Sequence, residues 1–295
     1  MRQLILGKQF RPQTSHVYPP FKNGRYMEEY AYEYYQNNDV GIGSSAIYIP
    51  IFWTNLQNHP GFKDMRAKYN ALLQIAIDME NKRCFEREIL PVYFTIVQHD
   101  DGPLLDLPKG TIIFGACTGT LPLPLIYEDI TNTLLMAPRL KKDLLASFVG
   151  SITHPIRDAM CNAVKDYNDI ICNGKNGWTP SVPSDLADQF IALTLRSKFC
   201  LAPRGYGRSS FRFFEAMLLD TIPVYIWDDK CWLPYQDCIA YSSFSVCIHE
   251  NEIENIYEIL SSITDEEYDK MLFCMRNARN MFTLEWMCKY ICRWI

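Results

Sequence analysis

The chain lacks the features of a membrane-spanning or nucleic-acid-binding protein. No segment approaches the ~20 continuous apolar residues that a membrane-spanning helix needs, so we expect no membrane span. Positive charge is scarce: the formal net charge is −5 and no long basic tract is present. Phosphate-backbone binding requires a dense Lys/Arg surface, so we expect no nucleic-acid partner.

Paired cysteine motifs are also missing. The 11 cysteines are scattered, odd in number and form no CxxC pair, which argues against a disulfide framework and against a zinc site. The N-terminus shows no secretory signal peptide. We therefore expect free thiols in a reducing compartment and a cytoplasmic localisation.

The composition and the order of elements indicate a two-domain α/β protein. Hydrophobic residues make up 48% and charged residues 21% of 295 residues, an ordinary globular balance. Strand and helix alternate in the second half, as in βαβ units of a parallel sheet. The first half contains a predicted helix over about Asp64 to Asn81. Its predicted apolar face consists of Met65, Tyr69, Leu72, Ile75 and Met79. We predict a first domain over 1–138, a second over 139–280, and a final helical segment, 281–295, that packs back on the first.

The segment from Ser197 to Pro234 carries the clearest functional signal. A short apolar strand ends at Ala202, a loop with two glycines follows, Ser209 is placed to cap a helix, and Thr221–Trp227 is the next strand. A helix N-terminus fed by such a loop presents free N–H groups and a positive dipole end, which suits a phosphate or diphosphate.

Three arginines at four-residue spacing strengthen that interpretation. Arg204, Arg208 and Arg212 add permanent charge where open α/β sheets bind ligands; the alternative is that they are solvated surface charges. Glu215, two helical turns after Arg208, is placed to accept bonds from ribose hydroxyls, or to pair with Arg212. The predicted nucleotide-sugar residues are Arg204, Gly205, Arg208, Ser209, Ser210, Arg212, Glu215, Asp228 and Asp229, with Arg157 as a further diphosphate contact and His154 more simply a helix cap.

A second polar cluster directly follows the predicted strand Val92–Gln98. Asp100 is the first candidate for a general base, Asp101 the second, and His99 a neighbouring contact. If the extended conformation persists, His99 and Asp101 share one side. The alternative is a turn formed by Asp101, Gly102 and Pro103.

The motifs now support a family resemblance. The pattern PRGxxxxSFRFxEA from Pro203, then IPV and an acidic loop ending in LP, resembles the nucleotide-binding half of the exostosin-like glycosyltransferases. Three looser blocks resemble that family's other segments: Ala46–Trp53, Gln98–Gly102, and Leu144–Gly150 with Pro155–Arg157. The resemblance runs from about residue 40 to about residue 250.

The resemblance implies a GT-B fold, with two Rossmann-like domains facing across a cleft and a C-terminal helix crossing back. It implies an inverting transfer from a UDP-sugar to a hydroxyl of an oligosaccharide or glycoprotein acceptor, without a metal or other cofactor. Asp100–Asp101 and Asp228–Asp229 remain alternative oxygen ligands for a divalent ion. Trp53, at the end of its predicted strand, is the candidate acceptor-stacking residue, although burial in the interdomain core is the simpler expectation.

The anchorless chain resembles the exostosin-like enzymes of large DNA viruses, β-xylosyltransferases among them, so UDP-xylose is the first donor expected. Two rival interpretations stay open. One is a non-catalytic nucleotide- or glycan-binding module of the same family. The other is a different nucleotide-dependent enzyme such as an epimerase, for which the usual dinucleotide fingerprint is missing.

Overall fold

A computed structural model of the chain describes residues 2–13, 25–38, 45–129, 132–177 and 182–295. Its described residues divide into two compact units. The first contains 2–13, 25–38, 45–123 and 284–295, and the second contains 124–129, 132–177 and 182–283. The sequence predicts changes of domain after 138 and 280; in the structure the chain changes unit after Leu123 and after Thr283.

Each unit is built on a wholly parallel sheet. In the first unit the strand order is β1-β2-β3-β4-β5, and in the second it is β10-β9-β8-β6-β7. The strands are β1 (Arg2–Gln3), β2 (Ala46–Tyr48), β3 (Val92–Val97), β4 (Ile112–Gly115), β5 (Leu121–Pro122), β6 (Leu144–Ile152), β7 (Ile170–Asn176), β8 (Ser197–Pro203), β9 (Ile222–Trp227) and β10 (Val246–His249). Two parallel α/β units are what the GT-B prediction requires, and that fold class is confirmed.

α-Helices form the connections β1–β2, β2–β3, β6–β7, β7–β8 and β8–β9, as is usual for parallel pairing. The α-helices are α1 (Met27–Asn37), α2 (Trp53–Gln57), α3 (Phe62–Phe85), α4 (Pro155–Val164), α5 (Ser184–Arg196), α6 (Phe211–Leu218), α7 (Ile256–Ser261), α8 (Asp265–Ala278) and α9 (Leu284–Ile291). The central strands read as continuous apolar runs because helices cover both faces of a parallel sheet.

The predicted apolar face of α3 is wrong for three of its five residues, whereas Tyr69 and Leu72 do pack against the core. Met65, Ile75 and Met79 are 38%, 57% and 55% exposed. The helix packs instead through a different stripe, made of Phe62, Leu73, Ile77 and Cys84. This 24-residue helix has two apolar stripes, and both show the helical periodicity. Periodicity alone therefore does not predict which stripe is buried.

The last helix belongs to the first unit. Helix α9 is amphipathic, and its buried side chains include Leu284, Met287 and Ile291. The Tyr35 hydroxyl of α1 donates a hydrogen bond to the carbonyl oxygen of Cys288, at 3.4 Å. The first unit is therefore completed by residues from the far end of the chain.

The expectation that every cysteine is free is wrong at one place. Cys161 of α4 and Cys172 of β7 form a disulfide with their Cα atoms 5.6 Å apart. The other nine cysteines form no disulfide among the described residues. Compartment and localisation stay expectations.

Among the described ranges of the chain, no helix combines the length and the apolar character that crossing a membrane would take.

Candidate functional site

The glycine-punctuated loop leaves β8 beside the end of β9. Pro203 pairs with Ile226, and the Arg204 N–H donates to the Ile226 carbonyl at 2.9 Å. This register brings Arg204 next to the residues that follow β9. Its Nη1 lies 2.6 Å from Oδ1 of Asp228 and 2.8 Å from Oδ1 of Asp229. The side chain is nearly buried, so the loop holds one guanidinium in a fixed position.

Arg208 approaches the same acidic pair from the far side of the loop. Its Nε and Nη2 lie 2.8 and 2.6 Å from Oδ2 of Asp229, and its side chain is 30% exposed. The hydrogen bond from Arg208 lowers the pKa of Asp229 to about 2, with Arg204 acting in the same direction. Asp229 is therefore ionised at neutral pH and bridges two guanidinium groups. The Tyr225 hydroxyl fixes the loop by donating to the Arg208 carbonyl at 2.6 Å.

The start of α6 differs in detail from the sequence prediction. Ser210, not Ser209, is the N-cap residue, and it has extended backbone angles without a side-chain cap bond. Both serines are buried. The Ser209 carbonyl accepts from the Gly205 N–H at 3.5 Å, so Ser209 still belongs to the loop.

Arg157 supports the ends of two strands, and the diphosphate contact predicted for it stays a prediction. From α4 its guanidinium donates to the carbonyls of Ser151, Arg204 and Pro203, at 2.7, 2.9 and 3.2 Å. A Cβ at Gly205 would lie 3.0 Å from Nη2 of Arg157, so this close approach favours glycine.

His154 is the N-cap residue of α4, as predicted. Its Nδ1 accepts from the Ile156 N–H at 3.3 Å. Its Nε2 lies 3.5 Å from Oδ2 of Asp228. Burial lowers the pKa of this imidazole, and the nearby Arg204 adds to the effect.

Arg212 and Glu215 form the internal ion pair that was the alternative prediction for them. The Nε of Arg212 donates to the Val149 carbonyl at 2.9 Å, and its guanidinium lies over the Phe190 ring, 3.9 Å from the centroid. The Glu215 carboxylate is buried and also accepts from the Tyr127 hydroxyl at 3.0 Å. Arg212 thus orients Glu215.

Glu215 lies in the wall of a mainly apolar pocket of the second unit. The pocket is lined by Leu125, Ile126, Tyr127, Phe211, Phe214, Glu215, Met217, Leu218, Arg279 and Phe282. Burial raises the pKa of the Tyr127 hydroxyl well above its ordinary value, so it stays a hydrogen-bond donor. An aromatic wall with one carboxylate is chemically suited to a nucleoside.

The cluster after β3 is a turn, which was the alternative prediction. The Gly102 N–H donates to the His99 carbonyl at 3.0 Å, and the Asp101 N–H donates to His99 Nδ1 at 3.2 Å. The extended arrangement is therefore wrong. Asp100 and Asp101 are both exposed, and burial lowers the pKa of His99.

Trp53 does not have the position predicted for an acceptor-stacking residue. It is the first residue of α2 rather than the end of a strand, and it is fully buried in the core of the first unit. Its indole Nε1 donates to Thr95 Oγ1 at 2.8 Å. The expected burial is confirmed, but the ring lies in the core of the first unit rather than in an interdomain core, and a fully covered ring has no face for a sugar.

Two polar residues near these clusters were missed by sequence reasoning. Glu28 of α1 is fully buried and accepts from the Gln98 N–H, at 2.9 Å, and from Thr54 Oγ1, at 2.8 Å. Burial raises its pKa to about 7. In the sequence it reads as an ordinary acid of a helix's first turn, so no pattern signals its burial.

The second missed residue is His249, at the end of β10. Its Nδ1 accepts from the Asn251 N–H, at 3.3 Å. Its Nε2 therefore carries the proton and donates to the Asp228 carbonyl, at 2.8 Å. The register of β9 with β10 brings the two together, which the sequence alone does not show.

Across the described parts of the chain, no group of three or more His, Cys, Asp or Glu residues is arranged to hold a metal ion.

Comparison with known proteins shows which family the chain resembles. The exostosin GT47 domain family matches residues 116–263, which is half of the chain. A probable glycosyltransferase of Arabidopsis thaliana is 39% identical over 88 residues, 30% of this chain and 18% of the relative. The xyloglucan galactosyltransferase XLT2 of Arabidopsis thaliana is 36% identical over 159 residues, 49% of this chain and 29% of the relative. The chain thus matches less than a third of the length of either relative.

Among solved structures, WaaG, a glycosyltransferase involved in lipopolysaccharide biosynthesis, covers 100% of this chain and 98% of its own, at 9% identity and a TM-score of 0.44. The family match includes the whole loop from Pro203, the helix α6 and the acidic residues after β9. On that match, the chain belongs to the exostosin GT47 family.

Proposed function

We propose that this protein is a glycosyltransferase that moves a sugar from a UDP-sugar to a hydroxyl of an acceptor glycan. The observation that carries the proposal is the convergence of Arg204 and Arg208 on Asp229, beside the N-terminus of α6. Two guanidinium groups held around one anion are what a departing diphosphate requires, because negative charge grows on it as the glycosidic bond breaks.

The donor is proposed to enter by replacing an anion already present. Asp229 occupies both arginines, and it is the more exposed partner of the network, at 45% of its side chain. A diphosphate carries more charge than one carboxylate and forms bidentate pairs with guanidinium groups. The nucleoside is proposed to lie in the pocket of Tyr127 and Phe211, with its ribose hydroxyls at Glu215.

We propose that the arginines, rather than a divalent ion, neutralise the leaving diphosphate. Guanidinium groups already pair with both acids of the loop after β9. Asp228 pairs with Arg204, and Asp229 pairs with Arg204 and Arg208. Carboxylates in that state are poor candidates for metal ligands.

On the acceptor side, we propose Asp100 as general base and Asp101 as the second candidate. Both carboxylates are exposed on the turn after β3, where an acceptor has access to them. In a direct displacement the acceptor oxygen bonds to the anomeric carbon, the bond to UDP breaks, and the hydroxyl proton passes to the carboxylate. The inverting outcome and UDP-xylose as first donor are carried over from the family resemblance.

The proposal is tested with Arg208→Ala, with Arg196→Ala as the matched control. Arg196 is a partly exposed arginine of the same unit, paired with Asp143 rather than with the acidic loop. We expect Arg208→Ala to lower the transfer rate by roughly 10²–10³-fold, the usual cost of removing one preorganised donor. The control should keep its rate, and both variants should keep the circular dichroism spectrum.

A panel of UDP-sugars scored by thermal shift, with UDP-xylose first, identifies the donor, because a ligand that binds only the native state raises its melting temperature.

The general base is tested by substitution. Asp100→Asn should lose turnover and keep UDP affinity; if Asp101→Asn alone has that effect, the base is Asp101. Near-normal transfer by Arg208→Ala contradicts the donor site. UDP-sugar binding without transfer or hydrolysis in the wild type supports the non-catalytic alternative.

A further inference from the structure

The turn that carries Asp100 and Asp101 is fixed at its start by helix α1. The Gln98 N–H, directly before the turn, donates to Oε1 of Glu28 at 2.9 Å. The Gln98 side chain makes a second bond to the same helix, because its Oε1 accepts from the Met27 N–H at 3.1 Å. Glu28 and Gln98 are both buried. The backbone therefore enters the turn from a position that α1 holds by two hydrogen bonds.

The same turn is fixed at its end by Gln57, the last residue of α2. Its Nε2 donates to the Gly102 carbonyl at 2.9 Å, and its Oε1 accepts from the Leu104 N–H at 2.7 Å. One side-chain amide thus uses both a donor and its acceptor on the backbone of one short segment. Helix α2 is itself attached to β3, because the Trp53 indole donates to Thr95 Oγ1 at 2.8 Å.

Contacts within the turn restrict its backbone further. The Gly102 N–H donates to the His99 carbonyl at 3.0 Å, and Gly102 has φ 71°, in the left-handed region that favours glycine. A Cβ at Gly102 would lie 2.8 Å from Cγ2 of Thr118. The side chains of Asp100 and Asp101, by contrast, are exposed. The turn therefore presents two accessible carboxylates on a backbone that is held on both sides.

We propose that Gln57 is a positioning residue for sugar transfer, whose amide holds the turn where the carboxylate of Asp100 or Asp101 takes the acceptor proton. This inference rests on the proposed function, and it applies to either base because both acids lie between Gln98 and Gly102. A general base works only within hydrogen-bond reach of the proton it removes. A displacement of about 1 Å can cost on the order of 10²-fold in rate, so an exposed base depends on the support of its backbone.

A merely structural role for Gln57 is the alternative, and Asn70 of α3 provides the comparison. The Oδ1 of Asn70 accepts from the Asp106 N–H at 2.9 Å, and its Nδ2 donates to Oδ2 of Asp106 at 2.8 Å. Gln57 and Asn70 are both partly buried, and each makes two amide hydrogen bonds to the segment after β3. They differ in place, because Gln57 bonds to Gly102, the neighbour of Asp101, whereas Asp106 follows the turn.

The experiment compares Gln57→Met with Asn70→Leu in the full chain. Each change replaces an amide by an apolar side chain of similar shape and removes two hydrogen bonds. UDP release from UDP-xylose, and then from the other UDP-sugars of the panel, gives kcat and KM, with a mixture of methyl glycosides as acceptors. Calorimetric titration with UDP gives its affinity and the fraction of molecules that bind. Expressing kcat per UDP-binding site prevents a partly unfolded sample from being scored as slow.

We expect Gln57→Met to lower kcat by at least about tenfold, because the base is no longer held in place. The UDP affinity and the KM for the UDP-sugar should stay close to those of the wild type, since the proposed donor residues belong to the second unit. Asn70→Leu should keep the wild-type kcat. Hydrogen exchange followed by mass spectrometry should accelerate over 99–104 in Gln57→Met and not in Asn70→Leu.

Equal kcat values in Gln57→Met and Asn70→Leu overturn the positioning role, whether or not exchange over 99–104 accelerates. So does a loss of UDP affinity in Gln57→Met that accounts for its loss of rate, because a general effect on the fold would produce it. A wild type that transfers no sugar contradicts the proposed function, and the role of Gln57 in transfer fails with it. Normal turnover by Gln57→Met beside an active wild type contradicts the positioning role alone.

Discussion

At the scale of single residues, the loop between β8 and α6 shows how much of a charge cluster a sequence pattern can predict. The sequence indicates that Arg204 and Arg208 flank a glycine turn, and the structure brings both to one carboxylate, Asp229. It does not indicate the support beneath them. Arg157, on a different helix, donates to the backbone carbonyls of Arg204 and Pro203, which lie 47 and 46 residues away in the chain. Such contacts depend on tertiary packing, for which local spacing contains no signal.

Glu28 gives a prediction about pH. Burial raises its pKa from 4.5 in the unfolded chain to about 7 in the folded protein. The folded state therefore binds the proton more tightly, so the stabilisation is complete below the unfolded pKa and is lost as the pH rises through the folded one. Between pH 5 and pH 8 the loss is roughly 2–3 kcal/mol.

Glu28→Gln should remove that dependence. Urea unfolding at pH 5 and pH 8 measures it, as the difference between the free energies of unfolding of wild type and variant. Other titrating groups, Glu29 among them with a pKa raised in the same direction, remain in both proteins and cancel in this difference. A difference that is the same at both pH values shows that Glu28 is ionised in the folded state.

At the scale of elements, strands were easier to predict than helix faces. The predicted strand Thr221–Trp227 agrees with β9 to within one residue, because an apolar run between an Asp and an acidic loop has little freedom in a parallel sheet. The exposed stripe of α3, with Ile75 and Met79, shows the opposite case. Two stripes of similar hydrophobicity compete there, and the packing of distant strands decides between them.

The link between α4 and β7 gives a prediction about redox conditions. The Cys161–Cys172 disulfide closes a short loop, with a sequence separation of 11. Cross-linking a loop of this size restricts the unfolded chain and stabilises the fold by roughly 3 kcal/mol in the chain-entropy account. Because α4 also carries Arg157, which donates to the Arg204 carbonyl, we expect reduction to weaken the support of the loop after β8.

We therefore expect a reducing agent to lower the melting temperature of the wild type by several degrees, since about 1 kcal/mol corresponds to 2–4 °C at this chain length. The double variant Cys161→Ala, Cys172→Ala is the control and should melt at the same temperature with and without reductant. Thiol alkylation followed by mass spectrometry counts the free cysteines. Equal melting of wild type with and without reductant, or alkylation of both residues in the native, unreduced protein, contradicts the disulfide.

At the scale of the whole molecule, the alternation of strand and helix predicts two parallel α/β units. The path of the chain between them is less visible in the sequence. The first unit includes residues 284–295, which follow the whole second unit along the chain. The amphipathic pattern of this helix predicts that one face is buried, but it does not predict which surface that face packs against.

The contribution of that helix to the first unit gives the last prediction. Met287 of α9 is fully buried, and the same helix accepts the Tyr35 hydroxyl bond from α1. Met287→Ala should lower the free energy of unfolding of the first unit by about 2–5 kcal/mol, the usual cost of truncating a buried methionine. Glu285→Ala, on the exposed side of the same helix, should leave that free energy nearly unchanged, because it removes only a surface pair with Lys289.

Hydrogen exchange followed by mass spectrometry reports each unit separately. In Met287→Ala, exchange should accelerate in α1, which α9 contacts, and not in β8 of the second unit. Equal acceleration in both elements would show that the two units unfold as one cooperative body. Unchanged exchange in α1 would show that the α1–α9 contact contributes little, and that the first unit is stable through its sheet and α3 alone.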